Sequence, residues 1–171
     1  MATIILTVIG EDRPGLVSAL SAPISAHGAS WQRSQMARLS GKFAGIVLVA
    51  VADERLDALT AELEALGEHG LQVTIERTGE PEAGAAVRLQ LELLGADHPG
   101  IVAEVSAALA DRGVSIEKLT TDVREAPMAG GTLFEAQAVL TAPPATSSDT
   151  LRSMLEGLAD ELMVEIRLSE D

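Results

Sequence analysis

The residues best suited to chemistry in this chain lie in a short turn that occurs twice. The turn reads Gly-Glu-Asp-Arg-Pro-Gly-Leu-Val from Gly10 and Gly-Ala-Asp-His-Pro-Gly-Ile-Val from Gly95, an offset of 85 positions. Each copy follows alternating apolar residues and precedes apolar residues at helical spacing, so each predicts a passage from a strand into a helix. A helix start presents backbone N–H groups that have no partner within the helix, which makes it a natural site for a carboxylate or another anion.

The residue types within the turn extend this hypothesis. Glycines at both ends would let a small ligand approach the main chain closely, and the carboxylate of Asp12 or Asp97 could receive an ammonium group. Together these groups provide the chemistry needed to bind both ends of an amino acid. The alternative is a helix entry without a ligand, in which Asp12 caps the helix by accepting from the N–H of Gly15. Taken alone, the turn favours that simpler interpretation because such caps occur in any fold.

The patterns that identify common catalytic sites are missing from the sequence. The chain has no cysteine and three histidines, and it contains no His-x-x-x-His, His-x-Glu, Gly-x-Ser-x-Gly or phosphate-binding glycine run. His98 could serve as a general base, but the first copy of the turn carries Arg13 in its place, which argues against that role. His27 and His69 stand beside glycines at predicted helix ends, where a histidine commonly faces solvent or interacts favourably with the helix dipole. We therefore expect no catalytic residue, no metal site and no cofactor.

Composition excludes further classes of protein. The net charge of the 171 residues is −14 and aromatic residues make up 2%. The chain lacks the excess of basic residues that binds phosphates and the aromatic residues on which bases stack. Direct binding to nucleic acid is therefore disfavoured. The longest apolar runs are shorter than eighteen residues and no basic segment precedes an apolar one at the start, so the sequence predicts a cytoplasmic protein without membrane contact.

Two homologous domains of the same element order are predicted to position the turns. Hydrophobic periodicity in each half indicates the order β-α-β-β-α-β, which right-handed crossovers arrange as an α+β, ferredoxin-like sandwich, with an antiparallel four-stranded sheet and both helices on one face. The first hairpin turns at Ser40-Gly41-Lys42, and the second helix runs from Asp53 to Leu66. The predicted limits are 1–78 for the first domain, 79–85 for a linker and 86–171 for the second domain.

The sheet faces opposite the helices differ between the copies. The first copy is apolar there, and an apolar open face indicates a surface that a partner or another part of the chain covers. Trp31 is either core filling or an interface anchor, and we favour the core. The open-face residues are Ile5, Thr7, Ile46 and Leu48 in the first copy and Arg88, Gln90, Glu92, Glu135 and Gln137 in the second.

The repeated Asp-[Arg/His]-Pro-Gly-[Leu/Ile]-Val turn, followed by Gly28-Ala-Ser and Gly113-Val-Ser-Ile-Glu, resembles the ACT domain family. The resemblance covers nearly the whole chain as two copies, a layout similar to the glycine cleavage system transcriptional repressor group. It implies a regulatory protein that binds an amino acid or similar effector at interfaces between ACT units, forms homodimers or larger homo-oligomers, and acts on a protein partner such as a transcription factor. The ligand-binding positions it implies are Gly10, Asp12, Arg13, Pro14, Gly15 and Leu16 in the first copy and Asp97, His98, Pro99, Gly100 and Ile101 in the second.

The chain departs from the family pattern at one point. Many effector-binding ACT units have an asparagine near the start of the second strand, where this chain has Ser30-Trp31-Gln32 and Ser115-Ile116-Glu117. Two alternatives to a sensor therefore stay open. One is a structural module that acts only through protein–protein contacts. The other is an enzyme of the same sandwich shape, such as an acylphosphatase-like hydrolase, for which the sequence contains no catalytic constellation.

Overall fold

The computed structural model describes residues 1–79, 84, 86–128 and 130–171, and each half of the chain folds as strand, helix, strand, strand, helix, strand. The first half contains β1 (Ala2–Glu11), α1 (Leu16–Ala26), β2 (Ser30–Leu39), β3 (Lys42–Val51), α2 (Leu56–Ala65) and β4 (Leu71–Thr78). Short 3₁₀ turns, Asp53–Arg55 and Leu66–His69, flank α2. The second half contains β5 (Val87–Ala96), α3 (Ile101–Ala110), β6 (Ser115–Glu125), β7 (Thr132–Ala142), α4 (Ser148–Leu162) and β8 (Val164–Glu170).

The chain divides into two units, Met1–Glu82 and Ala83–Asp171. The predicted domain limits of 1–78 and 86–171 stay predictions, because residues 80–83 and 85 of the predicted linker lie outside the described residues. In the part of the chain that is described, no helix combines the length and the apolar character needed to cross a lipid bilayer.

Each unit contains one antiparallel four-stranded sheet. The strand orders are β2-β3-β1-β4 and β6-β7-β5-β8, so the predicted ferredoxin-like fold is confirmed. In both units the strand that leads into the repeated turn is central. The end of β1 pairs with Lys42 at the start of β3, and Gly10 pairs with Leu71 at the start of β4. The turn therefore lies between the β2–β3 hairpin and the chain segment that follows the second helix.

The helices cover one face of each sheet, as the apolar periodicity predicts. In the first unit Leu16, Leu20 and Ile24 of α1 pack with Leu59 and Leu63 of α2 over the inward residues of β1 and β3. A separate core fills the second unit in the same way. The first core consists of Ala2, Ile4, Leu6, Val8, Leu16, Leu20, Ile24, Val47, Val49, Val51, Leu59, Leu63 and Leu71.

Two details of the helices differ from the sequence prediction. The helix predicted from Asp53 to Leu66 begins as a 3₁₀ turn and becomes α-helical only at Leu56. Val17 and Val102, which are among the apolar residues that follow the turns at helical spacing, are 46% and 43% exposed. Each lies one residue beyond a buried position, which is about 100° around the helix axis and therefore outside the stripe.

The open faces of the two sheets differ in character. In the first unit Ile46 is 49% exposed, and Ile5 and Leu48 are half-buried beside it. The second unit carries charged residues on the corresponding face, with Arg88 bound to both Glu117 and Asp171. Exposed apolar surface on an open sheet face is thus a property of the first unit.

Candidate functional site

The first turn connects the end of β1 to the start of α1. The backbone N–H of Asp12 donates to the carbonyl of Gly41 at 2.9 Å, which fixes the turn against the β2–β3 hairpin. Gly15 then adopts the left-handed conformation, with φ at 90°, and its carbonyl accepts the first helical hydrogen bond from Ala19 at 2.8 Å. A positive φ of this kind favours glycine, because a side chain would be strained there.

The second turn has the same geometry. The N–H of Asp97 donates to the carbonyl of Thr132 at 2.8 Å. Gly100 has φ at 97° and its carbonyl accepts from Glu104 at 2.9 Å. The sequence repeat is therefore a structural repeat, down to the hydrogen bonds that hold the turn.

The helix starts after both turns have backbone amides that no side chain caps. Gly15 and Gly100 occupy the N-cap positions, and among the described residues neither α1 nor α3 has a side-chain cap. The predicted cap from Asp12 to the N–H of Gly15 is not formed among the described residues: Gly15 is the N-cap residue, and the carboxylate of Asp12 accepts from Arg38 instead. Pro14 precedes the helix and lies in the turn.

The aspartate of each turn is in a different environment. Oδ2 of Asp12 lies 3.4 Å from Nη1 of Arg38, which the β2–β3 hairpin brings beside the turn. Within the described residues Asp97 forms no such ion pair, and its position in β5–α3 leaves its side chain exposed. A ligand ammonium group would therefore compete with Arg38 at the first turn and find an available carboxylate at the second.

The cationic residue of each turn binds the end of the second helix of its own unit. Nη2 of Arg13 donates to the carbonyl of His69, at the end of the 3₁₀ turn after α2. Nε2 of His98 lies 2.8 Å from the carbonyl of Leu162, at the end of α4. A positive charge at that place complements the unpaired carbonyls and the negative end of the helix dipole. Arg13 and His98 therefore have equivalent positions despite their different chemistry.

The surroundings of His98 favour its charged form. The carbonyl of Leu162 raises the pKa of His98 above its ordinary value of 6.5, and the carbonyl of Pro99 acts in the same direction at 3.1 Å from Nδ1. The carboxylates of Asp97 and Glu104 add a smaller effect of the same sign. A general base needs a free lone pair directed at substrate, whereas both nitrogens of this ring face backbone oxygens.

The glycines of the turns have two separate roles. A Cβ at Gly10 would lie 2.6 Å from the carbonyl oxygen of Gly70, and a Cβ at Gly95 would lie 2.5 Å from Cγ1 of Val164. These two glycines thus permit close approach of a neighbouring strand rather than of a ligand. Around the Cβ positions of Gly15 and Gly100, by contrast, no described atom other than those of the glycine and its chain neighbours lies within 4 Å.

The side chains of Leu16 and Ile101, the last predicted ligand-binding position in each turn, point into the protein core. Leu16 is 4% exposed and Ile101 is 3% exposed, and both belong to the cores of their units. Only their backbone N–H groups can contribute to binding. The turns can therefore offer amide donors, an aspartate and a surface free of bulky side chains, which suits a small anion or zwitterion.

Sequence reasoning missed the partners of these residues. Arg38, the carbonyl of His69 and the carbonyl of Leu162 all contact the turns from distant parts of the chain. The shared position of Arg13 and His98 in the repeat was the available signal, since both are cationic or can become so.

His27, predicted to face solvent, is largely buried, with Nε2 at 3.0 Å from Oε1 of Glu62. Among residues 1–79, 84, 86–128 and 130–171, no cluster of three or more histidine or acidic side chains could hold a metal ion.

Trp31 packs at the edge of the first core, as the sequence favours. The ring is half-buried against that core, and its Nε1 donates to Oγ of Ser34 at 3.1 Å.

Comparison with known proteins gives matches across both units. An ACT domain model matches residues 2–76, and a second ACT domain model matches residues 89–136. The chain is 23% identical over 163 residues to the glycine cleavage system transcriptional repressor of Escherichia coli (strain K12), an alignment that covers 93% of this chain and 85% of that protein. The protein of the same name from Shigella flexneri matches with the same figures. A crystal structure of an unknown protein from Galdieria sulphuraria is 31% identical, with a TM-score of 0.87 and coverage of 99% of this chain and 98% of that one.

Proposed function

Because the chain belongs to the ACT domain family, as two ACT domains in tandem, we propose that it is a non-enzymatic regulatory protein that binds an amino acid or a similar small effector. The effector would change how the protein acts on a protein partner, such as a transcription factor. The named relatives are repressors of the glycine cleavage system, and they support a regulatory role. From them we infer transcriptional control of amino-acid metabolism, glycine metabolism in particular, as the setting.

The observation that carries this proposal is the pair of uncapped helix starts. At Gly15 and at Gly100 the main chain enters a helix, and among the described residues no side chain caps either helix start. A ligand carboxylate would accept from the amides at these helix starts, which is favourable because the helix dipole adds to the hydrogen bonds. The nearby aspartate would receive the ligand ammonium group.

The two turns differ in how available their aspartates are to a ligand. Asp97 forms no ion pair within the described residues, whereas Asp12 is 3.4 Å from a nitrogen of Arg38. We therefore propose that the second turn binds the effector more tightly. At the first turn, part of the binding free energy would be lost in separating Asp12 from Arg38, although an exposed pair of this kind contributes only about 0–1 kcal/mol.

The partner is proposed to be a protein because the charge of the chain disfavours DNA. A net charge of −14 repels a phosphate backbone, and counterion release, the main source of affinity for DNA, requires clustered Lys and Arg. A repressor built on this chain would therefore reach DNA through another protein.

A thermal-shift and calorimetric screen with the common amino acids tests the proposal. A specific ligand at about a hundredfold excess over Kd stabilises the protein by about 2.7 kcal/mol. Asp97→Asn should weaken binding more than Asp12→Asn, while Asp149→Asn, which removes the same charge from the start of α4, should leave it unchanged. An absence of any shift with the whole set, together with unaltered behaviour of both turn variants, would refute effector binding.

A ligand-free assembly module is the second candidate, and the open face of the first unit favours it. Ile46 is 49% exposed beside the half-buried Ile5 and Leu48, and apolar surface grouped on one face commonly marks an interface. Burial of that face by a second copy would give the proposed homodimer or higher homo-oligomer. Ile46→Glu with Leu48→Glu should then lower the mass measured by light scattering. Gln137→Glu, on the corresponding face of the second unit, is the control, and an unchanged mass of the double variant would refute this interface.

A further inference from the structure

We propose that His98 is a pH-dependent clasp between the β5–α3 turn and the end of α4. As an imidazolium it donates to one carbonyl in the turn and one at the end of α4, and as a neutral ring it can donate to only one of the two. Nε2 lies 2.8 Å from the carbonyl oxygen of Leu162, and Nδ1 lies 3.1 Å from that of Pro99. Both neighbours are acceptors. A neutral imidazole has one N–H and one lone pair, so it can satisfy only one carbonyl, whereas the imidazolium donates to both.

The first unit contains the same clasp without the switch. Arg13 occupies the equivalent position of its turn and donates to the carbonyl of His69, at the end of the 3₁₀ turn after α2. The guanidinium stays charged across the whole physiological range. The two units therefore share one contact between turn and helix end, and only in the second does deprotonation remove a donor from the residue that makes it.

The charges around His98 act in the same direction from each neighbouring element. Asp97 in the turn and Glu104 in α3 favour the imidazolium through their negative charge. From α4 the ring meets a backbone carbonyl, and the last turn of that helix carries Asp160 and Glu161, which are also acidic. The two backbone carbonyls and the carboxylates of Asp97 and Glu104 thus raise the pKa of His98, and desolvation of the ring opposes them.

The direction of the pH effect follows from the raised pKa. Because the pKa of His98 is higher in the folded protein than its ordinary value of 6.5, the clasp contributes its full stabilisation below that value. The contribution is lost as the pH rises through the folded pKa of His98. If the second turn binds the effector, which rests on the proposed function, affinity at that turn would fall over the same range because the neutral ring can no longer donate to both carbonyls and holds the turn less firmly.

The ligand-free protein provides the first test. A pH titration of the histidine ring protons by two-dimensional NMR should show His98 titrating at higher pH than a histidine of the urea-unfolded chain. The His98→Arg variant assigns the resonance. A titration of His98 at or below the unfolded value would overturn the proposal, and this measurement requires neither a ligand nor a destabilising variant.

Exchange of the two cations provides the second test. In the His98→Arg variant, the melting temperature of the second unit, followed by its resolved NMR signals, should lose its decline as the pH rises above 6.5. The reciprocal Arg13→His variant should introduce such a decline into the first unit. An unchanged pH profile in both variants would overturn the clasp. If the clasp is present but the amino-acid screen finds no ligand, it is the proposed function that fails.

Discussion

Replacement of Gly10 by alanine tests whether the first glycine of the turn serves the sheet or a ligand. In the structure a Cβ at this position would lie 2.6 Å from the carbonyl oxygen of Gly70 and 3.3 Å from Cδ1 of Leu71. The first of these neighbours is backbone, so it cannot rotate away as a side chain can. We expect β1 and β4 to be forced apart where they pair, at the end of the strand that leads into the turn.

The magnitude follows from two opposing effects. Overpacking of a close contact costs about 1–3 kcal/mol. Loss of glycine's freedom in the unfolded chain offsets this by about 0.4–1 kcal/mol. The net free energy of unfolding should therefore fall by about 1–2 kcal/mol. For a unit of this size, each kcal/mol lowers the melting temperature by about 4–8 °C.

Thermal and urea unfolding, followed by circular dichroism, measure this change. Gly67→Ala is the matched control in the same unit, because no atom lies within 4 Å of its Cβ position, and it should be neutral or stabilising by about 0.4–1 kcal/mol. A Gly10→Ala protein that melts with the wild type, and instead loses amino-acid binding, would refute the assignment of Gly10 to the sheet.

Three further predictions concern the elements that hold the turns. Leu63→Ala, at a fully buried position of α2, should cost about 2–5 kcal/mol by cavity formation in the first core; a loss below 1 kcal/mol in urea titration would contradict the packing. Ser147→Ala should cost about 1 kcal/mol, because Oγ of Ser147 accepts from the N–H of Thr150 at the start of α4. Ser147→Asp is its control and should keep the stability of the wild type in thermal melts. Trp31→Phe should cost at most about 1 kcal/mol, because it removes a partly exposed hydrogen bond while keeping an aromatic ring; a change of oligomeric state in size-exclusion chromatography would instead identify Trp31 as an interface anchor.

The two turns are alike in backbone and different in chemistry, and this difference bears on regulation. Both present helix amides beside an aspartate, yet Asp12 is paired with Arg38 and Asp97 is without an ion pair in the described part of the chain. The cation of the first turn is permanent, while that of the second can be titrated. The two turns thus share a backbone geometry, and only the second combines an aspartate without an ion pair, among the described residues, with a cationic position that can be titrated.

Local spacing was sufficient to predict the fold. Ile4, Leu6 and Val8 alternate and are buried, as a strand with one face on a core requires. The 85-residue offset between the turns predicted two copies of one domain, and both sheets have the same strand order. These features depend on neighbours within a few residues, so a single sequence contains enough information to predict them.

Local reasoning failed at the cap, where several residues compete for one position. Asp12 is a good cap by type, but Gly15 takes the N-cap position since it alone tolerates the left-handed conformation found there. Asp12 is then free to pair with Arg38 from the neighbouring hairpin. Residue type indicates that a cap is possible, whereas the path of the chain decides which residue provides it.

The sequence by itself determined the elements, their order and the location of the repeated turns, because periodicity and turn chemistry act over short distances. Only the tertiary structure decided what each turn residue contacts. Arg13 meets a carbonyl 56 residues away, His98 meets one 64 residues away, and Gly10 makes room for the strand start after Gly70. Such contacts depend on how the second helix ends against the central strand, and that geometry exists only once the sheet has formed.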